Sequence, residues 1–104
     1  MPAVSRHWLL RYAYVDGIDT LREPYRDQHL SDLWAEADAG RVVIAGGVGD
    51  PIAEGIIVWD VEDPQIIHDF AKRDAYMTAG LITSYDVVPW RTVVGGLAAT
   101  PLRP

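Results

Sequence analysis

The sequence predicts an α+β fold in which two helices cover one face of a four-stranded antiparallel sheet. The chain has 104 residues, which is the size of a single domain. Its composition, 49% hydrophobic and 23% charged, is typical of a globular protein. Strand-like and helix-like periodicities follow one another in the order β-α-β-β-α-β. We expect one domain with its core at about residues 7–94 and a loose C-terminal tail at residues 95–104.

The first half of the chain predicts a strand, a helix and a second strand. Residues 7–15 alternate two apolar faces at the period of a strand. Thr20 and Glu23 have the spacing of a capping box, so we expect the helix to begin there and to end at Gly40. Residues 41–45 read as the next strand. The buried arc of the helix is predicted from apolar residues at helical spacing: Leu30, Leu33, Trp34 and Ala37.

The second half predicts a loop, a strand, a helix and a last strand. Residues 46–55 contain four glycines and a proline, so we expect a loop. Residues 55–61 are nearly all apolar and read as a strand covered on both faces. Asp63 is predicted to cap the second helix, and residues 81–94 form a long β-prone run. The buried stripe of that helix is predicted to be Ile66, Ile67, Phe70 and Ala71.

This element order is that of the ferredoxin-like split βαβ fold. Right-handed crossovers place both helices on the same face of the sheet. The opposite face would carry about half of the strand side chains, several aromatic rings among them. Because a monomer would leave that apolar face in water, we expect a homodimer that closes a barrel-like core.

Charge and residue types exclude several function classes. The formal net charge is −6, which argues against nucleic acid and anionic membranes as partners. The chain has no cysteine, no apolar run of the ~20 residues that span a bilayer, and no pattern of a signal peptide, so we expect it in the cytoplasm. His7 and His68 are predicted to be solvated. No histidine spacing suggests a metal site.

Two residues form the candidate site. If the second helix continues, Asp74 falls in the middle of its apolar arc, where a carboxylate needs a partner. The alternative is that the helix breaks near Arg73 and Asp74 caps a short turn by bonding the N–H of Tyr76 or Met77. His29 lies at the border of the first helix's arc, and alone it could be a surface histidine. Because both helices share one face, the imidazole and the carboxylate could meet as an acid–base pair.

Six short motifs occur in the order found in the YCII-related domain, and the chain resembles that family from about residue 12 to residue 92. The motifs are Arg26-x-x-His29-Leu30, Gly40-Arg41, Ala45-Gly46, Asp74-x-Tyr76, Ala79-Gly80-Leu81 and Val88-Pro89-Trp90. The resemblance implies a ferredoxin-like dimer of the α/β-barrel type, with His29 and Asp74 paired in a cleft. It further implies dehydrochlorination of a chlorinated hydroxyhydroquinone as the family's one well-defined activity, with no metal or other cofactor.

The sequence departs from the family pattern at two places. Ala75 stands where the family's Asp-Pro-Tyr motif has proline. Since proline disfavours helix in the residue before it, alanine would allow the second helix to continue through Asp74. The loop at 46–55 is shorter than the usual insertion, which predicts a more open or differently shaped pocket.

Two functional hypotheses follow. The first is a lyase or isomerase in which His29 moves a proton and Asp74 orients it. In this hypothesis Arg26 or Tyr76 binds an oxygen of a small substrate, which could be aromatic, and Trp34 walls the pocket. The second is a non-catalytic ligand-binding or assembly module that uses the same cleft.

Overall fold

A computed structural model of the chain describes residues 6–104. Its elements are β1 (His7–Tyr14), α1 (Ile18–Leu21), a 3₁₀ turn (Glu23–Tyr25), α2 (Arg26–Asp38), β2 (Val42–Val48), β3 (Glu54–Asp60), α3 (Gln65–Arg73), α4 (Ala75–Thr78) and β4 (Ile82–Pro89).

The four strands form one antiparallel sheet in the order β2-β3-β1-β4. This is the ferredoxin-like arrangement, so the predicted fold class is confirmed. Leu10 at the centre of β1 pairs with Ile57 of β3 on one side and with Val87 of β4 on the other. These three side chains point towards the helices, where they form part of the core.

Aromatic rings of the strands lie on the helix-covered face of the sheet. Trp59 is completely buried there and meets Phe70 of α3 edge-on, with ring centroids 5.2 Å apart. Tyr12 is buried on the same face, and its partner in β4 is Tyr85. The expectation that several rings lie on the opposite face was therefore wrong. The apolar strands supply these rings to the core because it has room for large side chains between the sheet and α3.

The opposite, open face carries an aliphatic row that crosses all four strands. Ile44 pairs with Val58, Val58 with Leu9, and Leu9 with Val88. Ile44, at the edge, is 66% exposed. Beyond β4 the chain folds back on itself, where the N–H of Leu102 donates to the carbonyl of residue 93.

The first helical segment differs from its prediction. α1 begins after Gly17, which has a left-handed φ of 79°, and Thr20 lies inside the helix instead of capping it. The chain then makes a 3₁₀ turn that contains Pro24 before α2 begins. Proline cannot donate the N–H that a continuous helix requires, so the segment divides there. Only part of the apolar arc that was predicted to be buried on α2 is buried: Leu33 is buried, but Trp34 is 66% exposed.

The second helix agrees better with its prediction. The N–H of Gln65 donates to Oδ1 of Asp63 at 2.9 Å, so Asp63 satisfies the first N–H of the helix as predicted, while Pro64 stands between them at the N-cap position. Ile67 and Phe70 are buried as expected, whereas Ile66 is 39% exposed. A helix this short turns only part of its predicted stripe towards the sheet.

Residues 46–55 are mostly strand rather than loop. β2 continues to Val48 and β3 begins at residue 54, so only residues 49–53 connect the two strands. Gly47 pairs with Gly55 inside this hairpin. Pairing with β3 outweighs the low strand propensity of glycine, since that propensity depends on the neighbouring strand.

A buried carboxylate ties α2 to the other elements. Glu36 is 7% exposed and accepts hydrogen bonds from the guanidinium groups of Arg41 and Arg73, the latter at 2.9 Å. Because Arg73 is the last residue of α3, this pair fixes the end of α3 against α2. Asp74, the residue that follows α3, is thereby held close to α2.

The two remaining histidines are not solvated as predicted. His7 is 6% exposed, and its Nδ1 lies 2.6 Å from Oγ1 of Thr92. His68 is half-buried, and its Nδ1 lies 3.0 Å from the hydroxyl of Tyr85. Both contacts join residues far apart in the chain, so local sequence could not indicate them. Within residues 6–104 no helix is long and apolar enough to cross a membrane.

Candidate active site

Asp74 occupies the break between α3 and α4. Its backbone is extended, with φ −58° and ψ 132°, and Oδ1 accepts the N–H of Tyr76 at 3.0 Å. The alternative of a capped short turn is therefore confirmed, and the expectation that the helix continues through Asp74 was wrong. Replacing proline by Ala75 permits a helix there but does not require one, because the carboxylate gains more as the cap of the next turn.

The same carboxylate is the centre of a buried hydrogen-bond network. Asp74 is 1% exposed. The hydroxyl of Tyr12 donates to Oδ2 at 2.9 Å, and Nδ1 of His29 lies 2.7 Å from Oδ1. With the N–H of Tyr76, three donors surround one carboxylate. Such bonds offset the cost of burying a charge.

Tyr12 is a neutral donor in this network. Burial raises the pKa of its phenol far above the ordinary value, and the neighbouring charge of Asp74 raises the pKa further. The hydroxyl therefore keeps its proton at neutral pH, and Oδ2 of Asp74 is its acceptor.

His29 lies between the buried network and the cavity beside α2. It lies on α2, is 7% exposed and stacks on the ring of Tyr76, with centroids 3.7 Å apart and planes 11° from parallel. Because the Asp74 carboxylate can only accept, we assign the proton to Nδ1. Nε2 is then the nitrogen with a free lone pair, which is the form that a general base requires.

A cavity of about 360 Å³ lies between α2 and β2. His29, Arg26, Tyr76 and Trp34 all line it, so four of the five predicted site residues share one cavity. Asp74, the fifth, lies behind His29 and does not line the cavity. Most of the remaining wall is apolar and includes Leu33, Val42, Ala45 and Ile57. A cavity of this size accepts a small organic molecule.

Comparison with known proteins agrees with this architecture. A model of the YCII-related domain matches residues 7–91. The chain belongs to the YCII-related domain family. A search of curated proteins finds no match to the sequence.

A solved structure resembles this YCII-related domain along most of its length. It is 5-chloro-2-hydroxyhydroquinone dehydrochlorinase from Burkholderia phenoliruptrix AC1100, in complex with 2,5-dihydroxybenzoquinone. The TM-score is 0.68 at 19% sequence identity, and the match covers 83% of this chain and 94% of that one. At this identity the likeness shows a shared fold.

Sequence reasoning missed three residues of the YCII-related site: Tyr12, Tyr14 and Arg22. The alternation of β1 places Tyr12 and Tyr14 on the same side of the strand as Leu10, so their orientation towards the helices could have been read from the period of two. Arg22 lies four residues before Arg26, but the 3₁₀ turn between them hid their shared direction.

Tyr14 is held in the cavity wall by a glycine. A Cβ atom added to Gly55 would lie 2.2 Å from the Tyr14 hydroxyl oxygen, so only glycine leaves room for this ring. Tyr14 meets Tyr76 edge-on with centroids 6.1 Å apart. Burial raises the pKa of the Tyr14 phenol.

Among residues 6–104, no group of three or more His, Cys, Asp or Glu side chains could hold a metal ion.

Proposed function

We propose that this YCII-related domain is a small-molecule enzyme of the lyase or isomerase kind, with His29 as general base and Asp74 as the residue that orients it. One observation carries the proposal: the buried contact of 2.7 Å between Nδ1 of His29 and Oδ1 of Asp74 beside a cavity of about 360 Å³. The fold shared with a dehydrochlorinase supports the same class of reaction.

The pair would work by proton transfer through Nε2 of His29. This nitrogen takes a proton from an O–H or C–H bond of the substrate, and the released electron pair forms a new double bond. In a lyase the leaving group then departs with its own bonding pair, so that H–X is lost and no oxidant is needed. In an isomerase the imidazolium returns the proton to another atom. Positioned general bases contribute roughly 10²–10⁴-fold to a rate.

Asp74 stabilises the imidazolium that forms during this transfer, because its carboxylate lies against the protonated Nδ1. The Tyr12 hydroxyl and the Tyr76 N–H hold the carboxylate in place from two other directions. His29 therefore keeps its proton on Nδ1 and one ring orientation throughout a cycle.

The substrate we propose is a small oxygenated ring compound. Arg26 and Tyr76 supply donors for its oxygens, and Trp34 covers it from the side open to solvent. Hydroxylated and halogenated aromatic rings belong to this class, and the name of the structural neighbour supports their inclusion.

The experiment is a turnover screen of purified wild-type protein, His29→Gln and His68→Gln. Chloride release from 5-chloro-2-hydroxyhydroquinone in the absence of air tests elimination. Exchange of substrate hydrogen for deuterium in D₂O, across a panel of hydroxylated rings, tests proton removal alone. We expect His29→Gln to lower the rate roughly 10²–10⁴-fold. His68 does not line the cavity, so His68→Gln should keep it. Equal rates in wild type and His29→Gln would contradict the proposal.

A ligand-binding module without turnover is the second candidate. It is favoured by the use of Asp74 as the cap of α4, since the cap gives the carboxylate a structural role whatever the chemistry. Ligand binding in the cavity, together with rates no higher than those of buffer across the whole screen, would support this candidate over the enzyme.

We further propose that the protein acts as a homodimer in the cytoplasm. The open face of the sheet bears the apolar row of Ile44, Val58, Leu9 and Val88, in which Ile44 is 66% exposed, Leu9 and Val88 are half-buried and Val58 is buried. Sedimentation equilibrium should give twice the chain mass of 11.5 kDa. A species of single-chain mass at all concentrations would overturn the dimer.

A further inference from the structure

We propose that the cavity is selective for an organic anion and that Arg22 binds the charged group. This inference rests on the proposed function only in placing the ligand in the same cavity. It adds a residue and a charge class that the fold and the His29–Asp74 contact do not specify.

The guanidinium group of Arg22 makes no hydrogen bond to another side chain within residues 6–104 and has only a long contact with Asp19. Its side chain is 20% exposed, and within residues 6–104 its buried Nε has no hydrogen-bond partner. The nearest carboxylate oxygen, on Asp19, lies 3.8 Å from Nη2, beyond hydrogen-bond distance. By contrast, Arg11 makes two bonds of 2.8 and 2.6 Å to Asp86. A guanidinium group without an acceptor is costly to bury, and Arg22 lines the cavity, so an anion bound there would supply the acceptor that this guanidinium group lacks.

The charge of the cavity is opposite to that of the chain. Its lining includes Arg22, Arg26 and His29 but no Asp or Glu, although the formal net charge of the chain is −6. Asp74 lies behind His29 and already accepts three hydrogen bonds. Burial and the charges of Asp74 and Glu23 act to raise the pKa of Tyr76, whereas the charges of both arginines act to lower it, so both arginines lie close to the Tyr76 phenol in the cavity wall. A cleft with one sign of charge concentrates ligands of the other sign.

The chemistry of the wall narrows the anion to a planar one. The aromatic part of the wall consists of Tyr14, Tyr76 and Trp34, which suit a flat ligand. A guanidinium group forms paired hydrogen bonds with a carboxylate, and it also donates charge-assisted hydrogen bonds to the oxygen of an ionised enol or phenol. A ligand that carries such a group on a ring would satisfy Arg22 and bring its ring beside His29. The same arginine would stabilise negative charge left on oxygen after proton removal.

A binding experiment with matched charged and neutral probes tests this inference. The indole N–H of Trp34, which lines the cavity, reports binding by NMR in titrations with benzoate and with benzamide, two planar probes of nearly the same shape. We expect benzoate to bind wild-type protein about tenfold more tightly than benzamide, the ratio expected of one charge-assisted bond. Arg22→Gln should abolish this preference. Arg103→Gln, in the exposed C-terminal segment, should retain it.

Two further arms complete the design. Arg22→Lys keeps the charge without the planar fork, so it should keep part of the preference and shows that loss in Arg22→Gln is not due to misfolding. The pair 2,5-dihydroxybenzoquinone, ionised at neutral pH, and its neutral dimethyl ether tests an ionised enol in place of a carboxylate. The anion that shows the larger preference identifies the group that Arg22 binds.

The result that overturns the inference is equal affinity, or no affinity, for both members of both probe pairs in wild type, or a preference that Arg22→Gln leaves intact. Failure of the proposed function is a separate result. If His29→Gln retains the anion preference while no substrate is turned over, the anion site stands and the enzyme proposal falls. If turnover depends on His29 but anions bind no more tightly than neutral probes, only the anion site falls.

Discussion

Removal of the Asp74 side chain should destabilise the fold more than any other single truncation in the site. Asp74→Ala leaves the Tyr12 hydroxyl, the His29 Nδ1–H and the Tyr76 N–H without their acceptor. Each buried donor left unpaired costs roughly 1–3 kcal/mol. Partial relaxation keeps the sum below simple addition, so we expect a loss of about 3–5 kcal/mol. A domain of this length is stable by roughly 5–15 kcal/mol, so the loss is a large share of the total.

Asp74→Asn is the matched variant, and it should cost much less. The amide oxygen can replace Oδ1 and accept from His29 and Tyr76, while the NH₂ group replaces Oδ2. The Tyr12 hydroxyl can rotate to accept from that group, so the contact is kept and only the phenolic hydrogen loses its acceptor. That loss, together with the loss of the acceptor's charge, amounts to about 1–2 kcal/mol. The two variants should therefore differ by about 1–4 kcal/mol.

Urea unfolding followed by tryptophan fluorescence at neutral pH measures both losses as changes in midpoint at constant slope. Asp86→Asn is the control, because that carboxylate is exposed and pairs with Arg11 on the surface. Its loss should stay below about 1 kcal/mol. Equal losses for Asp74→Ala and Asp74→Asn, or a loss below about 1 kcal/mol for Asp74→Ala, would refute the network as described.

Two further predictions concern Tyr14. Gly55→Ala should lower the free energy of unfolding by about 1–3 kcal/mol, because the new Cβ would meet the Tyr14 ring. A double-mutant cycle should show a smaller loss in a Tyr14→Ala background. An equal loss in both backgrounds would show that the ring is not the obstacle. Burial raises the pKa of the Tyr14 phenol in the folded state. Its contribution to the free energy of unfolding is therefore complete below the unfolded-state pKa of about 10. Above that pH the contribution declines by about 1.4 kcal/mol per pH unit. Urea unfolding between about pH 9 and pH 11 should therefore show a shallower decline for Tyr14→Phe than for wild type, and identical slopes would contradict the assigned burial.

Local sequence signals determined the elements and their order. The alternation in β1, the cap at Asp63 and the apolar stripe of α3 each depend on residues a few positions apart, so a single sequence reveals them. Together with the handedness of crossovers, these elements leave few possible topologies, and the one that occurs was predicted. The ordered motifs around His29 and Asp74 likewise indicated the family that the domain model identifies.

Contacts between distant segments decided the rest. The glycines of β2 are strand because β3 pairs with them, and His7 is buried because Thr92 meets it. Trp34 lies exposed at the mouth of a cavity that exists only between α2 and β2. Helical periodicity alone could not separate it from the core.

The site shows the same division. The residue types of the acid–base pair were readable from the sequence, but the distance of 2.7 Å, the supporting Tyr12 hydroxyl and the unpaired Nε of Arg22 were not. These features depend on side chains contributed by elements that are far apart along the chain and adjacent only in the folded domain. Sequence pattern specifies which way a side chain points from its own element, whereas the packing of elements determines which other side chain it meets.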